Sequence, residues 1–265
     1  MPLVWKGLDH PSSSVAYHVD KAILDEVAEV LPVRGHVGFC ADRGFADTHR
    51  MAHLAKLGGH GRIRLTGSFW IYREGKRCCK VKRLSLAAGQ ALFWHHLYST
   101  KQWYGPVHLA LGRPQDSKEY WLVVSDEPTE PKTFEEYGLR FDIEENFVDD
   151  KSHGLPLESS RLRSATPLAR LCGVLAVTTL YLVAPGTEVV RQGKRRWVDA
   201  QGFRGQSYLK RGWNWVKWAL RRGYDRLPSV QRSPEADPLP ALASKIQHQK
   251  PAERFCAMEF LDAVA

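Results

Sequence analysis

The 265-residue chain has little cysteine and methionine, five and three residues. Cys40, Cys78, Cys79, Cys172 and Cys256 make no C-x-x-C pair and no Cys/His spacing of the kind that holds zinc, so a disulfide framework and a zinc finger are both excluded as readings, and a reducing compartment fits. The start, MPLVWKGLDH, lacks a basic segment followed by an apolar one, so a signal peptide is not expected. Long apolar runs are scarce too. The most apolar, LCGVLAVTTLYLVA from Leu171 to Ala184, falls short of the ~20 residues that span a bilayer and reads as a buried helix, so no membrane partner is expected. No internal repeat is visible.

What is present is a core's worth of apolar residues, 43% of the chain with 11% aromatic, and a formal net charge of +9. Such a chain folds, and its charge favours a polyanionic partner. Apolar spacings of three and four over residues 15–31 predict an amphipathic helix ending at Pro32. HVGFCADRGF reads as a buried strand ending near Asp42, and Asp47 as the N-cap of a helix through Leu57, closed by Gly58 and Gly59. From Gly61 onward basic and apolar residues alternate, predicting a hairpin turning at Glu74 and Gly75, then strands VHLALGR and YWLVVSDEP around the loop PQDSKE. Thr133 is a fair N-cap for FEEYGLRFDIEENF. Further helices are expected from about Arg163 to Val183 and from Tyr208 to Leu227. The latter has an apolar stripe at Leu209, Trp213, Val216, Leu220 and Tyr224.

The stretch YGLRFDIEENFVDDKSHG, residues 137–154, holds five carboxylates and still keeps Tyr137, Arg140, Glu144 and Lys151 three, seven and fourteen steps along. On a helix these four share one face, beside an apolar stripe of Leu139, Ile143 and Phe147. The spacing resembles the Y-R-E-K signature of one branch of bacterial insertion-sequence transposases, the insertion sequence four group. ADRGFAD, residues 41–47, resembles the same family's second signature region, in which the Asp of D-R-G-F is the second acid of an Asp-Asp-Glu triad.

The resemblance implies an α/β fold of the RNase H-like class with a mostly β insertion and a helical C-terminal region, incomplete because its first strands would be missing. Along the chain this places a partial RNase H-like core in 1–60, a β-rich insertion in 61–125, the resumed core with the Y-R-E-K helix in 126–186, a C-terminal helical region in 187–227 and a flexible tail in 228–265. It implies that Asp42 and Glu144 are catalytic and bind Mg²⁺, with Mn²⁺ as substitute, and that Tyr137, Arg140 and Lys151 bind DNA phosphate. Trp121, Trp103 and Phe141 are candidates for stacking on an unpaired base. The implied activity is DNA transposition, with cleavage and strand transfer at insertion-sequence ends. The implied partners are transposon-end and target DNA, and a second copy or a full-length transposase; the location is the bacterial cytoplasm, at the nucleoid.

The chain departs from the family at the first acid. Only Asp9, Asp20 and Asp25 precede Asp42; the latter two fall in the first helix, and Asp9 stands in WKGLDH. The expectation is an N-terminally truncated transposase with impaired catalysis. The alternatives are a non-catalytic DNA-binding or inhibitory remnant, and an unrelated nuclease using Asp9. Plainer roles stand beside these: Asp42 as a turn residue, Glu144 (like its neighbour Glu145) as a solvated carboxylate, Arg140 and Lys151 as neutralisers of an acidic helix, Tyr137 as a packing residue. His95 and His96, adjacent on a strand, point to opposite faces and are not expected to share a metal. Cys78 and Cys79 read as strand residues. The basic segments GKRCCKVKR and LKRGWNWVKWALRR either contact DNA phosphate or form a solvated face.

Overall fold

A computed structural model describes residues 3–9, 15–31, 35–73, 75–99, 104–115, 117–140, 157–199, 206–223 and 254–262. The chain divides into two compact units, one of residues 12–141 and 249–265, the other of residues 1–11 and 142–248. The class is α/β, as expected.

The first unit opens with α1 (Tyr17–Val30), β1 (Val37–Ala41) and α2 (Thr48–Lys56). Local chemistry sets α2. The Asp47 carboxylate accepts from His49 N–H at 2.9 Å and Arg50 N–H at 3.2 Å, and Gly58, at φ +74°, supplies the left-handed residue that ends the helix. α1 is joined to α2 by Asp20 with Arg50 and by Asp25 with His53. Asp20 and Asp25 therefore have structural partners in the first unit.

Then follow β2 (Gly59–Arg64), β3 (Trp70–Arg73), β4 (Lys76–Lys80), β5 (Gln90–Ser99), β6 (Tyr104–Arg113), β7 (Trp121–Ser125) and α3 (Pro131–Gly138). With β8 (Ala257–Asp262) they make one eight-stranded sheet in the order β1-β2-β7-β6-β5-β3-β4, with β8 also on β5. Only β1–β2 and β5–β8 run parallel. The segment 228–265, expected as a flexible tail, thus contributes a strand: β8 registers Gln90 with Ala257 through to His95 with Asp262.

Alternation assigns the two faces. Ala41, Ile63, Leu97, Leu109, Leu111 and Val124 point to one side and pack with Met51 of α2. Phe93, Ala110 and Val123 point to the other and pack with Phe134 and Tyr137 of α3 and with Phe255. Alternation fails at register shifts, at Ile71/Tyr72 and twice along β5. A register shift between Trp94 and Leu97, with His96 at φ +55°, breaks the pleat, and the rings of both His95 and His96 lie edge-on to His108, at 5.2 and 5.0 Å. The expectation of opposite faces is corrected: a bulge turns both rings onto one neighbour.

α3 also differs from its expected start. It is capped by Glu130, not Thr133. Pro131 stands at the first helical position, and Glu130 and Thr133 close a reciprocal pair of side-chain to backbone bonds. The helix ends at Gly138 with Leu139 and Arg140 in a turn; residues 141–156 lie outside the described ones.

In the second unit, α4 (Ala165–Arg191) and α5 (Tyr208–Arg221) cross closely. A Cβ at Gly212 would lie 1.7 Å from the Leu182 carbonyl oxygen, and one at Gly186 would lie 1.9 Å from that of Tyr208. The contact is backbone to backbone. Hence the buried face of α5 is Leu209, Arg211, Gly212 and Ala219, while Trp213 and Leu220 of the expected apolar stripe are exposed. Buried Arg211 donates to buried Asp199 at 3.2 Å. Gly212→Ala should cost about 3 kcal/mol, the upper end of ordinary overpacking, because the atom struck is main chain. A lower urea midpoint at unchanged m-value measures it.

α4 corrects a further expectation. It has 27 residues, longer than the stretch read from sequence, and Val174, Val177, Leu180 and Tyr181 are exposed rather than buried. By length and composition it is sufficient to cross a membrane, with 22% of its most apolar window buried; those two properties alone assign no membrane.

Candidate functional site

β1 and β2 run parallel, so their carboxyl ends lie together, the position at which open α/β sheets offer residues to ligands. Asp42 follows β1 directly. It caps a single turn, Arg43–Phe45, its Oδ1 accepting from Arg43 N–H at 2.7 Å; Oδ2 accepts no hydrogen bond among the described residues. The turn role weighed for this residue is therefore real, and it leaves one carboxylate oxygen available.

The face shared by Asp42 also carries Cys40 of β1 and His60, Arg62 and Arg64 of β2, three basic side chains at alternate positions. Each has an acid. His60 Nδ1 is 2.9 Å from Asp126, and Arg64 binds Glu119. Arg62, 7% exposed, donates to Glu136 Oε2 at 2.9 Å, Glu127 Oε2 at 2.8 Å and Ser125 Oγ at 2.6 Å. Burial works against its charge, yet the hydrogen bonds to Glu127 and Glu136 hold the guanidinium pKa above its ordinary value.

Glu136 belongs to α3, so Arg62 ties this helix to β2, and Cys40 Sγ donates to the Glu136 carbonyl at 3.3 Å. Burial pushes the Cys40 thiol up, which makes it a packing group rather than a nucleophile. One residue on, Tyr137 is 4% exposed in the α3-side core, and Arg140 Nε donates to its hydroxyl oxygen at 3.1 Å. Burial pushes the Tyr137 phenol up, Asp42 adds to the rise, and Arg140 and Arg64 oppose it. Asp42, Arg64 and Arg140 thus all lie within electrostatic reach of the Tyr137 phenol.

Comparison of the chain with models of known protein families and with curated proteins gives no match. The site is judged on its own geometry.

Of the residues singled out from sequence, the structure joins Tyr137 to Arg140 and sets Asp42 at the end of the strand bonded to the helix of Tyr137. Glu144, Lys151, Phe141 and Trp103 lie outside the described residues. Trp121 lies on the α3 face, its ring against Phe134 at 5.7 Å and Phe255 at 6.3 Å, with the Arg254 guanidinium 5.4 Å from its centroid. It is a packed ring on this site's side of the sheet. Asp9, in the other unit, accepts from Ala165 N–H at 2.9 Å, at the start of α4.

Sequence reasoning missed Arg62, Arg64 and Glu136. The signal was the alternation in HGRIR, which sets three bases on one face as soon as the segment is read as a strand. Of the basic segments, β4 places Arg77 3.2 Å and Lys80 5.1 Å from the Trp70 ring, on a sheet edge that charge protects from pairing. In the other unit Trp197, Trp215 and Trp218 stack at 5.0–6.4 Å, with Lys194 and Arg222 over them. An anion whose phosphate meets Arg140 and Arg64 would find both guanidinium groups beside a carboxylate suited to a hard cation.

Proposed function

We propose that this chain belongs to the Asp-Asp-Glu transposase lineage, binds the DNA of insertion-sequence ends at the carboxyl end of β1 and β2, and carries there a metal-dependent phosphodiester cleavage site of reduced activity. The observation that carries this reading is that β1, which ends at Asp42, is bonded through Cys40 Sγ to the Glu136 carbonyl next to Tyr137, so that two motifs far apart in sequence, which the resemblance requires to meet, stand on adjoining elements. The fold supports it. A parallel β1–β2 pair with Asp42 at its end, antiparallel strands β3 to β7 after it, and then α3 are compatible with the order that the resemblance implies.

The donor set suits Mg²⁺ or Mn²⁺: a half-buried carboxylate with one open oxygen is the kind of ligand such ions accept, one or two per ion beside water. Asp42 and, by resemblance, Glu144 would hold the metal, whose contribution is to activate the attacking oxygen and stabilise the leaving one. Arg140 and Arg64 orient the phosphate through charge-assisted bonds, and buried Tyr137 positions Arg140 by accepting from its Nε. Lys151 joins them by resemblance. A second copy, or a full-length relative, completes the assembly at the nucleoid.

Reduced activity follows from the position of β1. Among the described residues it is the outer strand of the sheet, so no neighbouring strand on that side brings a second carboxylate beside Asp42. The same observation favours the second reading, a non-catalytic DNA-binding remnant that inhibits a full-length transposase.

Binding to a duplex carrying the element's own end, measured against salt, tests the proposal. Arg140→Ala should weaken binding across sequences and reduce the slope of log K against log salt by about 1, the signature of one lost phosphate contact. An unchanged slope would place the DNA elsewhere.

A further inference from the structure

At the opposite end of β1 and β2 stands a second cluster that the proposed function does not use, and the inference does not rest on that function. His36 immediately precedes β1, His60 is the second residue of β2, and Glu127 follows β7. Because Gly38 is registered with His60 in the parallel pair, His36 projects to the same face two residues earlier, and Gly38 brings no side chain between them. The two imidazoles stack with centroids 4.6 Å apart and planes inclined by 13°. Their inner nitrogens converge on one oxygen: His36 Nε2 is 3.0 Å and His60 Nδ1 3.5 Å from Glu127 Oε1.

We propose that His36, His60 and Glu127 form a binding site for a single transition-metal dication of the zinc type, with its remaining position open to solvent. The ligand atoms all lie within 4.8 Å of one another. Bonds of ~2.0–2.1 Å at a tetrahedral ion set ligands about 3.3 Å apart, and the two contacts to Glu127 bracket that separation. Only the imidazole pair must close in. Neutral imidazole selects zinc, copper or nickel over magnesium, which separates this site from the carboxylate site about 20 Å away along β1.

The surroundings fit a metal as well. Arg62 Nη2 donates to Glu127 Oε2 at 2.8 Å, which fixes the carboxylate with Oε1 toward the imidazoles, the office that outer partners perform around metal ligands. Asp126, whose Oδ1 accepts from Gly61 N–H at 2.6 Å, has its Oδ2 2.9 Å from His60 Nδ1, a hydrogen bond that the ion would replace. On binding, any proton on His36 Nε2 or His60 Nδ1 leaves to solvent and the ion takes its place. Three protein ligands with an open fourth position is the arrangement of zinc sites that accept an exchangeable ligand.

The test is calorimetric titration of the chelator-treated full chain with zinc sulfate, beside His36→Ala, His60→Ala and, as control, the exposed His96→Ala. His36 has a side chain 61% exposed, so its removal leaves the fold intact, which melting without metal verifies. The expected result is one zinc per chain, weakened about 100-fold or more in both ligand variants and unchanged in the control, since loss of a mere outer partner already costs 10–100-fold. Co²⁺ in place of zinc should give the visible absorption of a four-coordinate ion without thiolate charge-transfer bands, which distinguishes the site from the exposed Cys78 and Cys256. No binding, equal affinity in His36→Ala, or a thiolate band would overturn the proposal.

Discussion

Arg62→Ala should destabilise the first unit by about 3–5 kcal/mol, the range found when one partner of a buried ion pair is removed. The cost is what remains behind. Glu127 and Glu136 keep their charges after losing the cation that offset their partial burial, and Ser125 Oγ loses one of its two donors, keeping the Glu127 N–H. Glu136 is the polar tie of α3 to β2, so the loss is expected to loosen the helix that carries Tyr137 and to weaken DNA binding, although Arg62 itself is too buried to touch DNA. A pH series gives a second check. The Glu127 carboxyl is depressed in the fold, so its contribution to stability is present above the unfolded Glu pKa of about 4.3 and is lost as pH falls through the lower folded value. Arg62→Ala should reduce that loss, leaving a shallower acid limb. Urea unfolding at pH 7 and at pH 3 to 4 measures both effects. A variant within 1 kcal/mol of the parent at pH 7 would show that the network is solvated in solution.

How much of this was legible in the sequence depends on how far each signal reaches. Asp47 and Gly58 act within one helical turn, and both were readable from residue type and spacing. Most strands of the sheet were readable too, since alternation is local, although β8 falls in the segment expected to be a flexible tail. Three features were not. The buried face of α5 is set by Gly212, and a residue selected for lacking a side chain leaves no mark in a hydrophobic pattern. β8 pairs with β5 across more than 160 positions, and nothing in the sequence MEFLD names its partner. The bulge at His96 needs a positive φ that a histidine rarely adopts. The site divides in the same way. Asp42, Tyr137 and Arg140 were singled out through motifs, while Arg62, which ties β2 to α3, belongs to no motif and becomes visible only when the strands and α3 are assembled.

The choice between an active site and a turn at Asp42 can be made by two substitutions at that one position, because the two roles ask different things of the side chain. Capping the Arg43–Phe45 turn needs an oxygen that accepts from Arg43 N–H; holding a hard cation needs a carboxylate. Asp42→Asn keeps the first and removes the second, whereas Asp42→Ala removes both, at a further cost of about 1 kcal/mol for the lost cap. On a duplex carrying the element's end, both variants should bind DNA as well as the parent or better, since a negative charge beside the phosphates has been deleted. Both should lose the Mg²⁺- or Mn²⁺-dependent nicking by more than about 100-fold, a direct ligand mattering at least as much as its outer partners. Glu144→Gln should do the same if the second motif supplies the other acid. Nicking that survives in Asp42→Asn and falls only in Asp42→Ala would mean that the aspartate is there for the turn. Tight binding with no nicking in any version would make the chain a DNA-binding remnant, in which Arg140 and Arg64 still grip the phosphate and the carboxylate beside them no longer has work to do.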